Sequence, residues 1–243
     1  MRNRNHEKTV NRLSANQSGN FDGVLRKFEQ AKKFERYHKA AEQGDTHSQF
    51  HLGWCYAKGE GTRQDYAKAV RWFRLVAEQG DARAQLNLGI CHARGLGIQQ
   101  DYEEAAIWFL RAAEQGLAEA QNNLAVLYMT GQGVYLDYER GLSWFHAAAE
   151  QANETARQRR HDWRGIECHA ATEQGLLRAI YNLFLCYSKG IGVKQNKDEA
   201  FRWSLKALEV AKTDRPRLEA LIAHRRSGSF ENPAAFQADP RKS

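Results

Sequence analysis

Residues 45–80 read DTHSQFHLGWCYAKGEGTRQDYAKAVRWFRLVAEQG, and residues 81–116 read DARAQLNLGICHARGLGIQQDYEEAAIWFLRAAEQG. Residues 117–152 repeat the pattern as LAEAQNNLAVLYMTGQGVYLDYERGLSWFHAAAEQA, and a fourth copy at 176–211 weakens toward its end. The period is 36 residues, without gaps across the first three copies. A fixed period of this length indicates stacked supersecondary units that share one continuous core.

Each copy divides into two helical segments separated by a glycine turn. In the first segment apolar and small residues recur at helical spacing, as Leu88, Gly89 and Cys91 do. A GxG turn follows, formed by Gly95 and Gly97 in the second copy, and then an Asp-Tyr pair whose aspartate can cap the second helix. Because neither helix hides its apolar face alone, the pattern predicts an all-α solenoid of helix-turn-helix repeats.

Composition sets further limits on the class of protein. All three prolines lie beyond residue 215, so the preceding chain can run as helix broken only by glycine. The apolar stretches are too short to span a bilayer, and residues 1–20 show no secretory signal. The four cysteines form no CxxC pair, which favours a reducing compartment and hence the cytoplasm. The formal net charge of +7 favours acidic partners.

The repeat register divides the chain into segments with different expected roles. These are a disordered basic N-terminus (1–21), a capping helix with the tail of a partial repeat (22–44), four repeats (45–80, 81–116, 117–152 and 176–211), an interrupting segment (153–175), a C-terminal capping helix (212–226) and a flexible tail (227–243). The interrupting segment can be a truncated, degenerate unit or a lengthened helix pair, and the sequence leaves both open.

The repeated residues resemble the Sel-one-like repeat family, a branch of the tetratricopeptide-like (TPR-like) solenoids. The shared pattern is LGxxY followed by GxGVxxDYxxAxxWxxxAAxxG, and it covers residues 36–152 and 176–211. The resemblance implies that the helices stack into a right-handed α-α superhelix. It also implies a function, since members of this family commonly act as adaptors in protein complexes. A branch with two stapling cysteines in each unit does not match this chain.

A candidate binding surface follows from numbering each repeat from Asp45, Asp81, Leu117 or Leu176 as position 1. Positions 3, 7, 10 and 14 form a stripe on one flank of the first helix, and this flank lines the concave surface of TPR-like solenoids. Three of the four residues at position 7 are asparagines, whose carboxamides can donate to and accept from the backbone of an extended peptide. Basic residues for carboxylates and apolar residues for contact surround them. The candidate partner-binding residues are Asn87, Asn123, Asn182, His51, Arg83, Arg178, Lys58, Arg94, Lys189, Phe50, Trp54, Leu86, Ile90 and Tyr181.

An alternative interpretation of the same residues is purely structural. The asparagines would then bond across neighbouring helices, with the apolar residues packed beneath them. The repeated tryptophans, such as Trp108, are expected to be core residues because they stand in phase beside small residues. His47, His51 and Cys55 lie four residues apart and could hold a soft metal, but the cysteine position faces the core.

The sequence favours a non-enzymatic adaptor that binds an extended or helical acidic segment of another protein. No nucleophile elbow, P-loop or zinc-protease motif occurs, so no catalytic residue, cofactor or metal is expected. One alternative is an antitoxin-like immunity protein that neutralises a bacterial effector. Another is a basic protein associated with nucleic acid, whose affinity would fall steeply with salt.

Overall fold

The structure, a computed structural model, describes residues 23–158 and 166–211. Every regular element in these residues is an α-helix. The helices are α1 (23–42), α2 (Thr46–Lys58), α3 (Tyr66–Glu78), α4 (Ala82–Arg94), α5 (Tyr102–Glu114), α6 (Ala118–Thr130), α7 (Tyr138–Gln158), α8 (Ile166–Lys189) and α9 (Lys197–Ala211). The prediction of an all-α chain of repeated helix pairs is confirmed. The expected disordered N-terminus, C-terminal capping helix and tail lie outside the described residues.

The chain divides into two compact units, Met1–Val76 and Ala77–Ser243, and each is considered by itself. In the second unit, packed pairs follow the chain, with α4 against α5, α5 against α6, α6 against α7, α7 against α8 and α8 against α9. None of the helices in the described ranges is both long and apolar enough to cross a bilayer.

Capping residues fix where the helices begin and end. The Asp81 carboxylate accepts hydrogen bonds from the backbone N–H groups of Arg83 and Ala84, at 2.9 and 3.0 Å, and so caps α4. Asp101 caps α5 in the same way. Gly95 ends α4 in the left-handed conformation, with φ of 67°. The Asp101 cap and the glycine end of the first helix, both predicted from the repeat pattern, are therefore confirmed.

The second glycine of the GxG turn explains why the turn recurs with the repeat. Gly133 has a φ of 68°, and a Cβ built on it would collide with the backbone of Tyr102 at the start of α5. Gly192 makes the same approach one repeat later, where a Cβ would lie 2.6 Å from Cβ of Tyr138. Each of these two turns therefore rests directly on the second helix of the preceding repeat, and only glycine fits both the angle and the space.

In the first three repeats, a glutamine at position 5 of the first helix forms a hydrogen bond with the helix that precedes it. The side-chain Nε2 donates to a main-chain carbonyl eight residues earlier, from Gln49 to Ala41 at 3.2 Å, from Gln85 to Ala77 at 3.1 Å and from Gln121 to Ala113 at 3.1 Å. The bond gives a second donor to a carbonyl in the last turn of the preceding helix, which also accepts a backbone N–H from the glycine three residues later.

The core lies between the helices of each pair and is built from equivalent side chains. Phe73, Phe109 and Phe145, all at position 29, are almost completely buried. Trp108 is buried, and Trp144 packs partly buried against the core. The core role predicted for the repeated tryptophans is thus confirmed at these positions.

The interrupting segment lies between two long helices. α7 has 21 residues and α8 has 24, whereas the helices α2 to α6 have 13 each. Residues 159–165 are outside the described ranges. α8 passes so close to the start of α6 that a Cβ on Gly175 would collide with the backbone of Glu119. As a result α6 packs directly against α8 as well as against α7.

Candidate partner-binding face

The stripe predicted for the first helices is accessible on α4. Its members Arg83, Asn87, Ile90 and Arg94 are all partly exposed. Arg83 Nη2 lies 2.9 Å from Oδ2 of the capping Asp81. Asn87 Nδ2 donates to the carbonyl of Arg83 at 2.8 Å, within the same helix. The α4 stripe, meaning these four residues, thus combines two guanidinium groups with an amide and an aliphatic side chain.

The first helix of the other unit, α2, has a separate aromatic surface. The His51 ring stacks on Tyr37 with centroids 4.9 Å apart, and His47 lies edge-on to His51 at 4.4 Å. Trp54 is exposed, and Lys58 Nζ lies 5.0 Å from the centroid of its indole ring. The cation and the ring attract each other and hold both side chains at the surface. His51, Trp54 and Lys58 therefore lie together on the accessible side of α2.

Two predicted contact residues belong to the core. Phe50 and Leu86 both occupy position 6 and are buried. The Phe50 ring packs against Phe73 with centroids 5.9 Å apart, and Leu86 lies in a core cluster with Phe109. This placement corrects the sequence-based expectation, because position 6 turns inward toward the second helix of its own repeat.

The stripe is closed on α6 and α8. Asn123 is buried, and Asn182 is 0% exposed. Asn182 Nδ2 donates to Asn122 Oδ1 at 3.0 Å, from α8 to α6. Asn182 thus follows the alternative interpretation, in which the asparagines bond across helices. The expected ladder of solvent-facing amides is corrected at both positions, and at Asn182 the burial follows from the direct packing of α8 on α6.

An ion pair joins the same two helices. Arg178 Nη1 lies 3.3 Å from Glu119 Oε1, and both side chains are largely buried. Burial raises the pKa of Glu119, while the charges of Arg178 and Arg94 act in the opposite direction. Arg178, predicted to bind carboxylates of a partner, has a carboxylate of its own chain instead. Removing either member would leave a buried charge without its counter-ion.

The other two predicted residues on α8 lie at different depths. Tyr181 is partly exposed, and its ring stacks on Phe184 with centroids 6.4 Å apart. Lys189 is exposed in the last turn of the helix.

Charge is distributed unequally between α4 and α5. α4 contains Arg83 and Arg94 but no aspartate or glutamate. α5, the second helix of the same repeat, contains three glutamates and one arginine, at Glu103, Glu104, Glu114 and Arg111. The first helix of this repeat is therefore basic and the second is acidic, and the carboxylate that pairs with Arg83 belongs to the capping Asp81 just before α4 begins.

The histidines of α2 do not complete a metal site in the structure. Among the described residues, no group of three or more His, Cys, Asp or Glu side chains is arranged to hold a metal ion. Cys55 is buried in the core, away from the accessible side of α2 on which His51 lies.

The turn between α6 and α7 departs from the other turns in a way that the sequence analysis missed. Position 20 is glutamine in the other three repeats, and its Nε2 donates at 2.8 Å to a carbonyl seven residues earlier, as Gln64, Gln100 and Gln195 do. In this turn Leu136 takes the position and is 55% exposed, beside Tyr135, which is 96% exposed. Comparing the four turns residue by residue would have found it.

Comparisons with known proteins agree with this architecture. A family model described as Sel1 repeat matches residues 15–45, 46–81, 82–117, 118–153 and 177–209. The crystal structure of a Sel1 repeat protein from Oxalobacter formigenes is similar over 76% of this chain and 69% of its own, with 28% sequence identity and a TM-score of 0.56. A protective antigen of uropathogenic Escherichia coli strains that displays an SLR fold is 34% identical, with a TM-score of 0.49. That match covers 72% of this chain and 40% of the antigen. No protein of curated function matches the chain significantly.

Proposed function

The chain belongs to the Sel1 repeat family, whose members generally mediate protein–protein interaction and are typically non-catalytic scaffolds; from this premise we propose that it is a non-enzymatic adaptor that binds a partner protein on the α4 stripe. The observation that carries the proposal is the accessibility of Arg83, Asn87, Ile90 and Arg94 on a helix without acidic residues. Tyr181 and Lys189 on α8 are proposed as further contacts.

The chemistry of the stripe selects an acidic segment of the partner. Guanidinium groups bind carboxylates through paired, charge-assisted hydrogen bonds. Asn87 and Ile90, between the two arginines, add a polar and an apolar contact for the backbone or side chains of the same segment. An extended or helical peptide with two acidic residues spaced to meet Arg83 and Arg94 fits this arrangement.

The surface on α2 is proposed as a separate contact site in its own unit. Trp54 and Lys58 present an aromatic ring and an ammonium group at the surface. Tryptophan is among the residues that contribute most to binding at protein interfaces, because it buries a large area with little loss of side-chain entropy. Its contribution can be measured independently with Trp54→Ala.

Affinity purification of the full chain, followed by mass spectrometry, supplies the partner for a quantitative test. Binding of that purified partner is then measured for the wild type, for Arg83→Gln/Arg94→Gln, and for the control Arg140→Gln. Arg140 is an exposed arginine on α7 paired with Asp137 at i, i+3 spacing. A hydrogen bond to a charged group contributes about 1.5–3 kcal/mol, so the double variant should lose at least about tenfold in affinity. Equal affinity in all three proteins would contradict the proposal.

The same experiment separates the two alternative functions. An antitoxin-like immunity role requires that the recovered partner be a toxic effector whose activity the chain blocks. A nucleic-acid role requires that recovery of the partner fail after nuclease treatment and that affinity fall steeply with salt. Burial of Trp108 and the core packing of Trp144 leave these rings little surface for base stacking, which favours the protein partner.

We also propose a reducing, cytoplasmic location. Cys55, Cys91 and Cys186 are buried in the core at equivalent positions of different repeats. Burial raises the pKa of Cys91 and of Cys186 to about 12, so both remain protonated and unreactive. The proposal is supported by this use of cysteine as a small core residue.

A further inference from the structure

The last described helix carries an exposed apolar stripe. Phe201, Leu205 and Leu208 are 62%, 49% and 45% exposed, respectively. Their spacing of four and three residues puts them on one face of α9. Three large apolar side chains in a row on a helix surface indicate a face that another element covers.

The other repeats of the same unit identify that element. Phe201 and Leu208 occupy positions 26 and 33 of their repeat. The residues at these positions in the preceding second helices are buried, namely Ala106 and Ala113 in α5 and Leu142 and Ala149 in α7. α5 packs against α6 and α7 packs against α8, the first helices that follow them in the chain. The stripe on α9 is therefore the surface that a following first helix would cover.

The sequence directly after α9 has the pattern of such a helix. Two residues separate the end of α5 from Leu117, the N-cap of α6, and two residues likewise separate Ala211 from Asp214. Aspartate caps α2 and α4 at the corresponding place. With Asp214 as position 1, Pro216 falls in the first turn, where proline is tolerated.

The apolar residues of this segment fall at the positions that pack. Leu218, Leu221 and Ile222 take positions 5, 8 and 9. Their equivalents in α4 are Gln85, Leu88 and Gly89, and all three are buried.

We propose that residues 214–226 dock as a helix on the apolar stripe of α9 formed by Phe201, Leu205 and Leu208. The segment takes the place of a following first helix and covers a face of α9 that would otherwise be open to other copies or to other proteins. This inference is independent of the proposed function of the α4 stripe.

Hydrogen–deuterium exchange on the full chain tests the docking. Leu205→Glu places a charge in the middle of the stripe, and Leu221→Glu places one on the segment. Ile107→Glu is the matched control, because Ile107 on α5 is 45% exposed, as Leu208 is. In Leu205→Glu and in Leu221→Glu, the amides of residues 217–226 should exchange at least about tenfold faster than in the wild type, because docking protects these amides from exchange. The control should leave the exchange rate unchanged.

The exchange rates are measured at two protein concentrations, together with the molar mass in solution. Protection that does not change on tenfold dilution supports docking within one chain. Rapid exchange of residues 217–226 in the wild type would overturn the proposal. If the wild type is then a dimer that Leu205→Glu converts to a monomer, a second copy covers the stripe. If both proteins are monomers, the stripe is a surface for another protein.

Discussion

Replacing Gly133 by alanine tests how successive repeats are held together. Gly131 and Gly133 flank the same turn and have the same φ of 68°. They differ in their surroundings, because a Cβ on Gly131 would make ordinary contact with Leu136 at 3.4 Å or more, whereas a Cβ on Gly133 would collide with the backbone of Tyr102. Gly131→Ala is therefore a control for the backbone angle, and Gly133→Ala adds the clash with the preceding repeat.

The two substitutions are expected to differ clearly in free energy. An alanine forced into the left-handed region costs about 1–2 kcal/mol, and both variants carry this cost. In Gly133→Ala the turn must also move away from the first turn of α5, and overpacking of this kind costs about 1–3 kcal/mol more. A side chain at the end of a flexible chain could rotate away from the new methyl group, but the backbone of Tyr102 and Glu103 cannot.

Urea unfolding of the full-length variants, followed by circular dichroism, measures the difference. We expect the urea midpoint to fall in both variants. With the slope m unchanged, the free energy of unfolding should fall by about 1–3 kcal/mol more in Gly133→Ala than in Gly131→Ala. If the two variants are equally stable, the turn does not rest on the preceding repeat as described, and the explanation of why the glycine turn recurs in each repeat fails.

Other changes give further expected outcomes. Leu136→Gln should stabilise the chain by about 0.5–1.5 kcal/mol, because it supplies the turn with the hydrogen bond found in the other repeats; an unchanged urea midpoint would argue against this. Gln121→Leu should destabilise it by about 0.5–1.5 kcal/mol, because the carbonyl of Ala113 loses one of its two donors, and thermal unfolding against the control Gln132→Leu measures the loss. Burial lowers the pKa of His146, with Glu150 and Glu199 acting in the opposite direction, so the unfolded chain binds this proton more readily. Stability should therefore decrease as the pH falls below about 6.5, and the decrease should be smaller in His146→Phe; the same pH slope in both proteins would contradict the assignment.

The local features of the fold could be predicted because they repeat. The period, the capping by Asp81 and Asp101, and the glycine turns are all determined by residues close together in the chain. A helix of 13 residues with an aspartate before it and a glycine after it is set by short-range hydrogen bonds. For these features sequence order and spatial order coincide, so one copy of the repeat explains the others.

The candidate site could be predicted only where the repeat is regular. On α4 the accessible stripe agrees with the helical spacing of its residues. On α8, the burial of Asn182 depends on Asn122, sixty positions away in sequence, and on how closely α8 approaches α6 at Gly175. That approach follows the interrupting segment, where the period that supports every other prediction is broken. Helical spacing says which way a side chain points but not what lies opposite it.

In the proposed function, the partner binds a stripe that is accessible on α4 and closed on α6 and α8. Deuterium exchange of the full chain with and without its purified partner tests this claim in one measurement. Binding should slow the exchange of amides in α4 and leave the exchange of amides in α6 unchanged. Protection confined to α6 and α8, with no change in α4, would contradict it.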